Sequence, residues 1–367
     1  MFSAIRRPGF LVIACAAGIL TACLTVEVIL RLTNTSQTDA QTNDPRTGLV
    51  MYRPHINLRS SSTCFDTTTQ TDSAGLNADE FSPTKSSSTF RIVIVGGSFV
   101  EARQVSHQEA FSHQLEMLLN QSSHKKYTYE VIPFGFSGNG TYLDFLYYDK
   151  YIAQLKPDLL IDFATEYELT RDEPTTQLAP RFDAQSNAIL DLPATSQDAS
   201  VIFTKNLVKR SKLLTSLYLK ELEVASSLHA FMAHPHAFGA AQAETSNSSV
   251  QETTSTETLW STEEKLLSQF SHRVQTDGSK FVLATWFTEQ IDETTKTTAA
   301  KRYLKMSQDA QLAYTDLTPT LSANESKSGQ SPVWSCDDHW NVTGHAWAAQ
   351  ALDTYLEAHP ELIGLTK

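Results

Sequence analysis

Nowhere in these 367 residues do more than two lysines or arginines stand together, and acidic residues outnumber basic ones 41 to 29. Neutralising a phosphate backbone takes clustered basic groups, so nucleic acid is excluded as the leading partner. Cysteine is scarce as well. Of four, Cys15 and Cys23 lie in an apolar N-terminal stretch, which leaves Cys64 and Cys336 for the rest of the chain. One pair in a large domain is not a dense disulfide framework. Export to an oxidising compartment would permit a bridge, and the alternative is two separately buried thiols. Metal-ligand spacing is also missing: His229, His234 and His236 gather around Pro235 without acidic or cysteine partners, so no metal site is expected.

What is present starts with a core. Hydrophobic residues make up 41% of the chain, enough for one sizeable folded domain and an insertion or small second lobe. Arg6 and Arg7 precede an apolar run from Phe10 to about Leu32, the pattern of an export signal whose positive flank stays in the cytoplasm. The run is long enough to span a bilayer uncut, as a signal anchor. Leu20-Thr-Ala-Cys23 also fits a bacterial lipoprotein cleavage site, and both fates stay open. In either case the bulk of the chain is expected outside the cytoplasm, periplasmic or extracellular, and held at the cell membrane by its N-terminus.

Residues 33–85, rich in Ser, Thr, Asn and Asp, read as a stalk and irregular lead-in. Arg91–Val95 is a short β-branched run closed by Gly96-Gly97, the look of a buried parallel strand. Ser106 and Glu109 form a capping box before a helical face of Phe111, Leu115, Leu118 and Leu119. Strands follow at Tyr127–Ile132 and Leu159–Phe163, with a helical stretch Tyr142–Leu155 between them. From Glu173 to Thr258 the pattern weakens into an insertion with a helical piece, Phe203–Phe231, and a Ser/Thr/Glu-rich linker, 244–258. Alternation resumes with a helix capped by Ser261 and Glu264, strand Lys280–Trp286, helix Thr297–Gln308, strand Leu312–Leu317 and a last helix after Asn341. The expected fold is a three-layer α/β/α domain (86–172 and 259–367) on a five-stranded, mainly parallel sheet, interrupted by the insertion 173–258.

Ligands gather at the carboxyl ends of parallel strands. Three loops there are unusual: Gly96-Gly-Ser-Phe99, Gly135-Phe-Ser-Gly-Asn-Gly140, and Cys336-Asp-Asp-His-Trp-Asn341. Serine attacks an ester when a base takes its proton, and histidine does so best when a carboxylate fixes its tautomer. Asp337, two residues before His339, suits that orienting role; Asp338 is the alternative. Taken singly, a Gly-Gly-Ser turn is ordinary turn chemistry and an Asp-Asp-His an ordinary solvated cluster. Tyr142, Tyr147, Tyr148 and Tyr151, at helical spacings, read as packing residues.

The joint order of these pieces resembles the SGNH (GDSL-like) serine hydrolase superfamily, in its exported, membrane-anchored bacterial branch. The likeness runs from Asp72-Ser-Ala-Gly-Leu76 through Arg91–Glu101, Val131–Gly138 and Lys156-Pro-Asp158, then returns at Asp337-Asp-His-Trp-Asn341 with Gly344-His345. It covers about two thirds of the chain and omits the insertion. The resemblance implies Ser98 as nucleophile, His339 as general base and then acid, and Asp337 as its orienter. It implies an oxyanion hole from the Ser98 and Gly138 N–H groups and a side chain at Tyr167, where the family carries Asn. Gly97 stands where the family has Asp, Pro133 where Asn is common, and Glu168 where Asp follows the oxyanion residue. The implied activity is hydrolysis or transfer of ester-linked acyl groups on an acylated glycan or lipid ester, without cofactor. The departure at Tyr167 supports an alternative, a relative without turnover that binds or helps assemble cell-envelope polysaccharide.

Overall fold

The computed structural model describes residues 6–33, 40–122, 126–167, 179–192, 199–214, 248–288 and 291–365. His229, His234, His236, Glu168 and the C-terminal part of the helix expected at Phe203–Phe231 fall outside these residues. Two units divide the chain: Met1–Arg53 with Pro193–Thr245, and Pro54–Leu192 with Ser246–Lys367.

In the first unit, helix α1 (Arg6–Thr33) carries the one segment among the described residues that is long and apolar enough to cross a membrane, the 21 residues Val12–Leu32. At 1.5 Å per residue this is about 31 Å, the thickness of a hydrocarbon layer. Strands β1 (Gln41–Asn43) and β2 (Val50–Tyr52) pair antiparallel beside a helix at Ala199–Arg210. The Asn206 side chain joins that helix to the hairpin, accepting the Asn43 N–H at 2.8 Å and donating to the Asn43 carbonyl at 3.0 Å.

The second unit begins with β3 (Asn57–Ser61) and β4 (Asp66–Gln70), an antiparallel hairpin inside the stretch whose composition suggested irregular chain. Its core is a five-stranded sheet: β5 (Thr89–Gly96), β6 (Thr128–Gly135), β7 (Leu159–Ala164), β8 (Lys280–Thr285) and β9 (Ala313–Asp316). All neighbours run parallel, in the order β6-β5-β7-β8-β9. The continuous apolar runs noted in the sequence suit this arrangement, because both faces are covered. One face, with Ile92, Ile94, Ile161, Phe163 and Val282, packs on α3 (Phe111–Gln121) and the C-terminal helix α8 (Val342–Ala358). On the other, Phe281 meets Phe270 of α5 (Ser248–Thr276), which stacks on Phe145 of α4 (Thr141–Tyr147). The result is a three-layer α/β/α domain.

Two local expectations are corrected. Helix α5 starts at Ser248, inside the stretch read as a flexible linker, and not at a cap near Ser261. No Gly or Pro interrupts residues 246–277, so the helix anchored by buried Trp260, Leu266, Phe270 and Val274 propagates back through polar residues. After α6 (Glu293–Asp309) and β9, a further helix α7 (Thr318–Ser328) was not foreseen, because only Leu321 of it is buried and no apolar stripe marks it.

Candidate active site

Strand β5 lies between β6 and β7: the chain passes from β5 to β6 on one side and then crosses back to β7 on the other. Its carboxyl end is therefore a topological switch point, where the crossovers diverge and open a crevice. Gly96 ends β5 at φ +155, with no room for a side chain: a Cβ there would meet the Phe163 carbonyl at 2.7 Å. Ser98 then opens the one-turn helix α2 (Ser98–Glu101). This turn lies so close to the end of β6 that a Cβ on Gly135 would come within 2.3 Å of the Glu101 nitrogen. As the first residue of a helix, Ser98 has an N–H with no acceptor in the preceding turn.

Facing it is a short hairpin, β10 (Val333–Trp334) and β11 (Asp337–Trp340), where an open loop was expected. Trp340 is fully buried against Phe99, Phe163 and Trp286 at ring separations of 5.1, 5.4 and 5.2 Å, which fixes the strand beside α2. Asn341 acts in two directions. Its amide donates to the carbonyls of Ser331 (2.7 Å) and Val333 (2.9 Å), and its oxygen caps α8 by accepting the Gly344 N–H at 3.0 Å. A disulfide from Cys336 in the hairpin turn to Cys64, between β3 and β4, ties this element to the N-terminal hairpin.

These supports bring together three residues distant in sequence. Ser98 Oγ lies 2.6 Å from His339 Nε2, and His339 Nδ1 is hydrogen-bonded to Asp337 Oδ1, which also accepts the His339 backbone N–H at 2.9 Å. Asp337, and not the exposed Asp338, is the carboxylate on the imidazole. An ionised Asp337 only accepts, so Nδ1 carries the ring proton and Nε2 is free to accept from the Ser98 hydroxyl. Behind the hairpin His345 is fully buried. Its Nδ1 accepts the Phe111 N–H at 3.3 Å, a donor at the start of α3, and burial together with the neighbouring His339 pushes its pKa down to about 3.

The second loop is held from below by Glu101. This buried carboxylate accepts both the N–H (3.1 Å) and the hydroxyl of Ser137, one residue before Gly138, which takes the left-handed conformation at φ +92. Ser98 and Tyr167 line one small cavity, about 10 Å³, with Gly97, Phe99, Asn139, Phe163 and Thr165. Gly138 is not among its lining residues; its neighbour Asn139 is, with its amide donating to Asp144 at 2.8 Å. Sequence reasoning missed Glu101, Asn139 and Thr165. All three lie within three residues of a residue it named, so the signal was local. Beneath the cleft, Asp162 of β7 and Glu263 of α5 are both buried; Glu263 accepts from the hydroxyls of Thr141 (2.7 Å) and Tyr303 (3.3 Å). Burial pushes both carboxyls up, Glu263 to about 7.

No family model and no curated protein matches the chain. Among solved structures it is similar to Axe2, an acetylxylan esterase from Geobacillus stearothermophilus, at 12% identity and a TM-score of 0.41, over 72% of this chain and 93% of that one. It is similar to LAE5, an alpha/beta hydrolase from the Lake Arreo metagenome, at 13% identity and a TM-score of 0.41, over 76% and 98%. A two-domain esterase active on acetylated mannans gives 9% identity and a TM-score of 0.41, over 74% of this chain and 49% of that one. The α/β assignment rests on the sheet itself.

Proposed function

We propose that this chain is an SGNH-type serine esterase acting on small acyl esters, held at the membrane by α1 with its α/β domain outside the cytoplasm. The observation that carries the reading is the hydrogen-bonded chain Ser98 Oγ, His339, Asp337 at the carboxyl end of β5. In the proposed reaction Ser98 Oγ attacks the ester carbonyl while His339 Nε2 takes its proton, and Asp337 stabilises the imidazolium. The backbone N–H groups of Ser98 and Gly138 and the Tyr167 hydroxyl are the proposed donors to the oxyanion. His339 then protonates the leaving alcohol, and a water or an acceptor hydroxyl, activated by the same imidazole, releases the acyl group from Ser98.

The small cavity lined by Ser98 and Tyr167 has room for a group the size of an acetyl methyl. The substrate class of this reading is an acylated glycan or a lipid ester. The disulfide between Cys64 and Cys336 supports the external location, since such bonds persist in oxidising compartments. A second reading, binding of acylated polysaccharide without turnover, is favoured by one feature: Tyr167 occupies a position where a shorter amide donor would serve the oxyanion. Loss of one such donor costs about 10²–10³ in rate. The full chain in detergent, assayed with p-nitrophenyl acetate beside Ser98→Ala, separates the two. Turnover abolished by the substitution supports the esterase; a folded wild type without turnover supports the binding reading.

A further inference from the structure

Away from the cleft, the second unit gathers one cluster of metal-ligating side chains that the spacing of residues along the chain did not announce. Asp79 lies in the stretch before β5, His107 in the turn after α2, and His113 on α3. One ligand atom from each lies within 4.8 Å of the others. Asp79 Oδ1 is 3.2 Å from His107 Nε2, Asp79 Oδ2 is 3.0 Å from His113 Nδ1, and the two imidazoles meet edge to face at 4.8 Å. Neighbouring donors around a tetrahedral zinc ion, with bonds of about 2.0–2.1 Å, sit about 3.3 Å apart.

Simple hydrogen bonding accounts for only half of this arrangement. His113 Nδ1 makes a hydrogen bond to Asp79. His107 does not: both its ring nitrogens are buried without a hydrogen-bond partner, although Asp79 Oδ1 is within reach of Nε2. The carboxylate oxygen therefore lies off the in-plane direction that an N–H or lone pair takes. Orphaned buried nitrogens are uncommon. The off-axis placement is what two ligands of one ion show, because each lone pair points at the ion and not at the neighbouring ligand.

We infer that Asp79, His107 and His113 bind one divalent transition-metal ion of the zinc type, with the fourth position left to water on the exposed side of Asp79. Nδ1 of His107 lacks the outer hydrogen bond that tightens such sites, so the affinity falls about 10–100-fold below that of a site with the bond in place. The role is structural. The ion joins the stretch before β5 to the chain on both sides of the α2–α3 turn, and Asn77, two residues from Asp79, already donates to the Glu101 carbonyl at 3.1 Å. This inference does not rest on the esterase reading.

The test is titration of the full chain, in detergent and stripped with a chelator, with zinc sulfate alone. Equilibrium dialysis should give one ion per chain at saturating zinc. At a hundredfold excess over Kd the melting temperature should rise by about 5 °C. His113→Ala and Asp79→Asn should each weaken binding about 100-fold and abolish the thermal shift. A chain carrying His229→Ala, His234→Ala and His236→Ala together should behave as wild type. If a variant does not fold, as judged by circular dichroism, His113→Gln takes its place. The inference is overturned by absence of saturable zinc binding, or by a site that survives His113→Ala and disappears in the triple variant.

Discussion

Replacing Asp337 by asparagine removes a charge from the one oxygen that accepts both the Nδ1 proton and the backbone N–H of His339. An asparagine with its oxygen at that position keeps both bonds without the charge, whereas one with its NH₂ there sets a donor against Nδ1 and favours the tautomer protonated at Nε2. That nitrogen is the one 2.6 Å from Ser98 Oγ, and once protonated it no longer accepts the serine proton. Wrong tautomer and lost imidazolium stabilisation together cost about 10⁴ in kcat, or about 5.5 kcal/mol of barrier, by analogy with other serine triads. Asp338, exposed and off the imidazole, should tolerate asparagine with a stability change within about 0.5 kcal/mol and unchanged kcat. Steady-state hydrolysis of p-nitrophenyl acetate by the two variants tests this. Adding Asp337→Asn to Ser98→Ala should do no further harm, since the three residues act as a unit. Asp337→Asn within tenfold of wild type, or an equal loss in Asp338→Asn, would refute the reasoning.

Glu101→Gln replaces the buried acceptor that holds Ser137, so the Gly138 loop loosens; kcat should fall about 10–100-fold with little change in KM. A lower melting temperature with unchanged kcat would reduce Glu101 to a structural role. Removing the disulfide with Cys64→Ser and Cys336→Ser should cost about 2–5 kcal/mol in unfolding free energy and lower kcat, because the turn before Asp337 loses its tie. An unchanged melting temperature speaks against it. Burial holds Glu263 up at about 7 against 4.5 when unfolded, so its stabilising effect is complete below pH 4.5 and is lost as pH rises toward 7. His345 is held down at about 3 against 6.5, so its effect is complete above pH 6.5 and is lost as pH falls toward 3. The two slopes oppose each other between pH 4.5 and 6.5. Glu263→Gln should therefore gain stability over wild type as pH rises through that window, by up to about 1.4 kcal/mol per unit; parallel melting curves in pH would contradict this.

Much of the architecture was legible in the sequence because its causes are local. The apolar runs at Arg91–Val95 and Leu159–Phe163 read as strands buried on both faces, and the amphipathic stretches between them as helices that cover those faces. The separation of Asp337 and His339 by one residue already placed a carboxylate within reach of the imidazole. Local pattern did not choose between Asp337 and Asp338, since both flank the same turn; the pairing of β10 with β11 made that choice by sending one side chain inward and leaving the other in solvent. Nor did it foresee that polar residues before Trp260 would continue α5, because a helix propagates from its anchor through polar residues where no Gly or Pro stops it.

What joins residues far apart in sequence was decided by the tertiary structure alone. Ser98 and His339 are 241 positions apart, and Cys64 and Cys336 are 272 apart. Asp79, His107 and His113 have no helical or strand periodicity that would put them on one face, and meet only because the turn at Ala110 brings α3 back over the stretch before β5. A sequence states which segments must be buried, since hydrophobicity and backbone preference act over a few residues. Which polar groups then converge depends on how sheet order and close packing at Gly96 and Gly135 bring separate segments within hydrogen-bond distance.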